Sequence, residues 1–187
     1  MHTILGVVVV ATLAFVGTMV DNYFAFAAQL LVTRRDRFRR VSWAQALAVA
    51  SMIALAGGLG SLLAPIPVRW VGALAVAPFS FAWHTWRHRA APRQQFRRGA
   101  LTTFVMTFAL GGDNLGVWIP LLRANGFAHA MVTIAAFAIL EIVFLLGAQR
   151  VATHPRVVNW GSQHATAFMP YVYVFLGVLI LVECRTI

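Results

Sequence analysis

Long apolar runs constrain this chain more than any other feature. Several could cross a hydrocarbon core of roughly 30 Å, which takes about 20 helical residues. Hydrophobic residues make up 60% of the 187 positions and mean hydropathy is +0.78, which excludes a soluble globular domain. The runs do not alternate as barrel strands do. We therefore predict an all-α integral membrane protein with six transmembrane helices, near residues 4–32, 43–63, 68–86, 100–122, 127–149 and 165–182.

The arginines predict an orientation in the membrane. All fifteen basic residues are arginines, and twelve of them follow the first, third and fifth spans, at 34–40, 87–98 and 150–156. The positive-inside rule places these loops in the cytoplasm, so both termini should lie outside. The loops are short, so we predict a single transmembrane transporter domain over residues 1–187. The arginines do not form one basic face, so the expected partner is the lipid bilayer and not a nucleic acid.

Two Asp-Asn pairs lie inside apolar runs, Asp21-Asn22 in the first span and Asp113-Asn114 in the fourth. An ionised carboxylate at mid-membrane depth costs at least a few kcal/mol, whereas a polar contact that only joins two membrane helices contributes about 0.6 kcal/mol. A purely structural role is therefore a poor explanation for two such pairs. Carboxylate and amide oxygens can replace the hydration shell of a divalent cation, and two carboxylates balance its charge. We interpret the four residues as metal ligands.

An internal repeat relates the two pairs. They are separated by 92 positions, and Pro78 and Pro170 are separated by the same distance. Each half, about 1–92 and 93–187, would contain three spans, so the second half must enter the membrane in the opposite direction. This is the pattern of two inverted three-helix repeats, which bind substrate near the bilayer midplane and move by alternating access.

Two further polar residues are candidate metal ligands. Glu141 is a third acid inside a span, and it is interpreted as a ligand, a proton carrier or a helix-pairing group. Gln45, near the start of the second span, could supply an amide oxygen.

Residues next to the Asp-Asn pairs could modify the site. Met19 and Met106 offer soft thioether sulfur, although methionine in a helix often serves only packing. Glycines at 17, 111, 112 and 116 flank the pairs and would allow both helices to unwind, so that backbone carbonyls could join the metal ligands. Cys184 is the only cysteine, which excludes a thiolate metal cluster.

Two motifs resemble those of the cadmium-resistance transporter family, within the lysine-exporter superfamily. The first is Gly-Thr-Met-Val-Asp-Asn at 17–22, and the more specific second is Gly-Gly-Asp-Asn-Leu-Gly-Val-Trp-Ile-Pro-Leu at 111–121. Gln45, Pro78 and the segment 170–183 also resemble family positions, so the resemblance covers nearly the whole chain. It implies efflux of divalent cadmium, with other metals left open, across the cytoplasmic membrane of a bacterium.

Three function classes were compared. A metal exporter is favoured, and the alternative is an exporter of amino acids or other small cationic solutes. An enzyme is not expected, because the spans lack a His-Glu-x-x-His zinc motif. The chain has no phosphate-binding Gly-x-x-x-x-Gly-Lys loop, so we expect secondary transport without a cofactor, by a monomer or a homodimer.

Overall fold

The computed structural model describes residues 3–87, 99–124 and 126–184, and every regular element in these ranges is a helix. The predicted all-α class is therefore confirmed for the described chain. The α-helices are α1 (Ile4–Val32), α2 (Phe38–Leu62), α3 (Val68–Val71), α4 (Val76–Arg87), α5 (Ala100–Leu110), α6 (Gly112–Ala124), α7 (Gly126–Val151) and α8 (Pro155–Glu183). Short 3-10 turns lie at Arg35–Arg37 and Gly72–Ala75.

Several of these helices fit a multi-pass membrane protein. By length and apolar composition, α1, α7 and the helical stretch Arg35–Leu62 could each cross a membrane. The α5–α6 pair could form a fourth span, with a bend of 61° between its parts. A shorter apolar helix covers Ala167–Glu183. The arrangement of six spans as inverted repeats remains a prediction.

The helices differ from the predicted spans in two places. The last helix begins at Pro155, ten residues before the predicted span, because proline is favoured in the first turn, where its missing N–H has no intrahelical partner. Its apolar part, Ala167–Glu183, agrees with the span predicted near 165–182. The predicted third span is not one helix: the 3-10 turn Gly72–Ala75 separates α3 from α4. Buried Pro78 lies in the first turn of α4, where it is tolerated for the same reason.

Helix α1 packs against α5, α6, α7 and α8, and its contacts show in which direction each of them runs relative to α1. It runs antiparallel to the α5–α6 pair, because Gln29 near its end contacts Thr103 and Thr18 nearer its middle contacts Trp118. It runs parallel to α7, because Phe15 contacts Phe137 and Tyr23 contacts Phe144.

The contact with α8 is antiparallel and unusually close. A Cβ added at Gly17 would lie 3.1 Å from Val172 and 3.2 Å from Leu176, and Gly161 lies against Phe24. Glycines at these two positions therefore let α1 and α8 approach each other.

An aromatic cluster joins α1, α6 and α7 in the interior. The rings of Phe15, Trp118 and Phe137 are all buried, with centroids 4.9 to 6.0 Å apart. The Trp118 indole N–H donates to the Thr18 hydroxyl at 3.2 Å, so its polar atom is satisfied. This cluster fixes the crossing of α1 and α6, one turn of α1 away from the first Asp-Asn pair.

The two ends of the bundle differ in their polar contacts. At one end, the Gln149 amide donates to the Ser42 hydroxyl at 3.0 Å, which brings the end of α7 to the start of α2. The loops at 34–40 and 150–156 therefore share this end, which we call the Arg-rich end; the predicted loop at 88–98 lies outside the described residues. At the other end, the Arg123 guanidinium donates to the carbonyls of Leu63, Ala64 and Ile66.

Candidate metal site

The two Asp-Asn pairs meet at one sulfur atom where α1 crosses α6. The Met19 sulfur accepts the side-chain amide of Asn114 at 3.2 Å and that of Asn22 at 3.9 Å. All three side chains are buried. Met19 therefore lies between the two pairs, and its position makes it a candidate metal ligand rather than only a packing residue.

The two carboxyl groups flank this contact. Asp21 is half-buried and accepts the Asn22 backbone N–H at 2.7 Å; Asp113 is buried and accepts the Asn114 N–H at 2.9 Å. Because Asn22 and Asn114 meet at one sulfur, the two neighbouring carboxyl groups lie in the same part of the interior. Two like charges at this depth repel, so a divalent cation between them would remove the repulsion.

A break in the fourth predicted span places Asp113 at a helix N-terminus. Helix α5 ends at Leu110, and Asp113 lies in the first turn of α6. The positive end of the helix dipole stabilises a carboxylate there. A Cβ at Gly111 would lie 2.7 Å from the Cε of Met52, so this flexible side chain would have to move. Glycine at 111 thus leaves room for Met52 beside the break.

The matching expectation for α1 was wrong. Helix α1 continues without interruption through Gly17 and Asp21. The glycine at 17 serves the close contact with α8 described above and does not unwind the helix. Backbone carbonyls of α1 around Asp21 thus remain in their helical hydrogen bonds, and only the second pair lies at a helix break.

Asn114 has a buried acceptor atom that a bound cation could satisfy. Its side-chain oxygen is buried and has no hydrogen-bond partner. A buried acceptor without a partner is costly, and a cation is the simplest group to satisfy it beside two carboxylates. The residues brought together, Asp21, Asn22, Asp113, Asn114 and Met19, offer oxygen donors, one sulfur donor and charge to balance a divalent ion.

Gln45 lies nearby, but its oxygen is already engaged. The Thr107 hydroxyl donates to that oxygen, while the Gln45 amide nitrogen is buried without a partner. Thr107 also lines a cavity of about 10 Å3 between α1 and α5, together with Asn22 and Gln29. Such a volume holds about one water molecule. Gln45 is thus connected to the wall of this cavity, and its role as a metal ligand remains a prediction.

Glu141 faces a different space. It is buried on α7 and lines a groove between α2 and α7, and neither of its carboxyl oxygens has a hydrogen-bond partner. Among the residues that the structure describes, no three His, Cys, Asp or Glu side chains form a group that could hold a metal. Glu141 therefore does not join Asp21 and Asp113 in one acidic cluster.

Sequence reasoning missed two residues next to the site. The Tyr173 hydroxyl on α8 donates to the second oxygen of Asp113, and the Gln29 amide donates to Thr103 at 2.7 Å. The sequence offered one indication of Tyr173, because it lies 92 positions after Phe81, the same spacing as between the two Asp-Asn pairs. In the structure the two rings are in contact, with centroids 5.9 Å apart. For Gln29, the only indication in the sequence was a polar side chain near the end of an apolar run.

Comparison with known proteins identifies the second half of the chain. A family model described as a cadmium resistance transporter matches residues 91–187, just over half of the chain. The matched segment contains the helix break, Asp113, Asn114 and Tyr173. No curated protein and no solved structure has a significant match to the chain.

Proposed function

The chain belongs to the cadmium resistance transporter family, and we propose that it exports divalent metal cations, cadmium above all, through a site formed by its two Asp-Asn pairs. The observation that carries this proposal is the meeting of Asn22 and Asn114 at the Met19 sulfur. Sulfur beside carboxylate oxygens suits a softer ion, because hard ions such as magnesium prefer oxygen alone.

An alternating-access mechanism is supported by pairs of residues 92 positions apart. The Asn22 and Asn114 amides contact one sulfur, and the Phe81 ring contacts Tyr173. A two-fold axis in the membrane plane would bring such equivalent residues together, as in transporters built from inverted repeats. The antiparallel directions of α1 and the α5–α6 pair agree with this symmetry. Relative movement of the halves would expose the metal to each side in turn.

The proposed orientation follows from the arginines. The Arg-rich end would face the cytoplasm of a bacterium, with both termini outside, by the positive-inside rule. Metal would then enter from this end and leave at the end where Arg123 holds the loop at 63–66. The protein would work in the lipid bilayer as a monomer or a homodimer.

The direct test replaces each carboxylate by an amide of the same shape. Asp21→Asn and Asp113→Asn each remove half of the compensating charge. Removing one partner of a buried charge pair costs about 3–5 kcal/mol, so cadmium affinity measured by calorimetry should fall by about two to four orders of magnitude. Asp36→Asn is the matched control, because Asp36 is exposed in a loop and pairs with Arg34.

The outcomes separate the shared site from other models. Both membrane variants should lose cadmium tolerance in cells while reaching the membrane in normal amounts, and the control should keep it. Normal cadmium binding by either Asp21→Asn or Asp113→Asn would show that the two pairs do not share one ion. Binding of lysine, with no metal response, would favour an exporter of cationic solutes instead.

A further inference from the structure

A groove of about 680 Å3 separates α2 from α7. Its mouth and its interior differ in polarity. Arg35 and Arg39 line the mouth, at the Arg-rich end, and the interior is mainly apolar. Among the interior residues, Val49 and Ile53 come from α2 and Leu145 comes from α7. The groove begins at the charged end of the bundle and is open along one side, where exposed side chains of both helices, such as Trp43 and Ile142, line it.

Glu141 lies in the inner part of this groove, at the depth of the metal site. Phe137, one turn before it, contacts Phe15, and Phe144, about one turn after it, contacts Tyr23. Glu141 therefore lies level with the part of α1 between these two rings, which contains the first Asp-Asn pair. The carboxyl group has reached mid-membrane depth without joining the metal site.

No neighbouring group satisfies the Glu141 carboxyl. Among the described residues, the charged side chains that line the groove with Glu141 are Arg35, just before α2, and Arg39 at its start. The neighbouring helices also carry Asp21, Tyr23, Asp113 and Tyr173 at the metal site, and further groups such as Arg40, Arg123 and Arg156 near helix ends. None of them forms a hydrogen bond or an ion pair with Glu141, and Tyr173 already donates to Asp113. An ionised carboxylate without a partner is strongly disfavoured in such a place, so the neutral acid is the form that fits this conformation.

We propose that Glu141 is the site of the proton exchanged for metal, and that the groove between α2 and α7 is the route by which this proton leaves toward the Arg-rich end. This inference rests on the proposed metal export. It adds a second, separate cation site: the metal occupies the Asp-Asn site, and the proton occupies Glu141.

The position of the groove mouth gives the proton a direction. When water enters the groove, the carboxylate becomes solvated and its ionised form is favoured. The proton is then released at the Arg-rich end. With that end in the cytoplasm, proton release inward accompanies metal export outward, which is the direction in which an inward proton gradient can drive export.

Glu141→Gln tests the separation of the two sites. In liposomes, this variant should bind cadmium with unchanged affinity and should exchange cadmium for cadmium at equal pH. Cadmium transport driven by a pH gradient should fall to the rate of protein-free liposomes, while Asp36→Asn keeps all three activities. Cadmium binding that weakens together with transport would make Glu141 a metal ligand, and retained pH-driven transport would show that it carries no proton. Either result overturns the inference.

Carbodiimide labelling tests the same site without transport. Dicyclohexylcarbodiimide reacts with protonated carboxyl groups in apolar surroundings, so mass spectrometry of the wild-type protein should find Glu141 modified, and less so as the pH rises. In the Asp21→Asn variant, added cadmium should not protect Glu141. Absence of modification, or protection by cadmium in that variant, would refute a separate proton site. If instead Asp21→Asn leaves cadmium binding intact, the metal-site proposal fails, while pH-dependent labelling of Glu141 still stands.

Filling the groove tests the route. Ala50→Trp places a large side chain in the groove lining and should slow both the labelling of Glu141 and pH-driven transport. Ala54→Trp makes the same change one turn further along α2, at an exposed position outside the lining, and should alter neither. Equal effects of the two tryptophans, or none from Ala50→Trp, would exclude the groove as the proton route.

Discussion

Replacing Met19 by leucine tests whether the sulfur selects the metal. Met19 is buried, and the two side chains have similar volumes, so the folded state should lose less than about 1.5 kcal/mol. The change removes the acceptor of the Asn114 amide at 3.2 Å and of the Asn22 amide at 3.9 Å. All four oxygen-bearing residues of the two Asp-Asn pairs remain. A change in affinity that differs between metals therefore reports on the sulfur.

The expected loss depends on the metal. A neutral group that contacts a charged partner contributes about 1.5–3 kcal/mol, and cadmium affinity should therefore fall about 10- to 100-fold. Magnesium and manganese prefer oxygen donors and gain little from a thioether. Their affinities should stay close to the wild-type values, so the ratio of cadmium to manganese affinity should fall by nearly the full factor.

Calorimetric titration with cadmium, manganese and magnesium measures this ratio. Met169→Leu is the control, because Met169 is another buried methionine and packs against Ala82 and Tyr173. It should leave all three affinities unchanged. An equal loss for all three metals in Met19→Leu would show that the residue acts through packing, and an unchanged cadmium affinity would refute the sulfur contact.

Three further changes test the structure around the site. Gly111→Ala should destabilise the protein by about 1–3 kcal/mol in denaturant unfolding through overlap with the neighbouring methionine, whereas Gly112→Ala, with nothing within 4 Å of its Cβ, should not. Arg123→Gln should cost about 1.5–3 kcal/mol of stability by releasing three loop carbonyls, with cadmium affinity unchanged, and exposed Arg156→Gln should cost nothing measurable. A cysteine at residue 36 in a cysteine-free background should resist impermeant reagents in intact cells, and its labelling would reverse the orientation.

The sequence predicted much of this architecture because long apolar runs are a strong signal of membrane helices. Uninterrupted apolar runs identified α1 and α7 within a few residues, since each is one helix that is long and apolar enough to cross a membrane. The 92-residue spacing also indicated that Asn22 and Asn114 would approach each other, and both amides contact one sulfur. These features follow from spacing along the chain.

Contacts that depend on helix rotation could not be predicted in this way. In the sequence, Gly17 and Gly111 occupy similar positions before the two Asp-Asn pairs. In the structure, Gly17 lies at a close helix contact, against Leu176, whereas Gly111 lies at a helix break, against Met52. The hydrogen bond from Tyr173 to Asp113 depends on how α8 is turned against α6. Such rotations are set by packing among all helices, which no short motif contains.

The two halves contribute unequal parts to the site. The second half, which the family model matches, supplies the helix break and Asp113, whose carboxyl has both a helix N-terminus and the Tyr173 hydroxyl to stabilise its charge. Phe81, 92 positions before Tyr173, has no hydroxyl to offer Asp21, and Asp21 lies within an unbroken helix. We therefore expect Asp21 to depend more strongly on a cation to stabilise its charge. Since Met19 also comes from α1, the proposed site needs both halves, and we expect that the family-matched half alone does not bind cadmium.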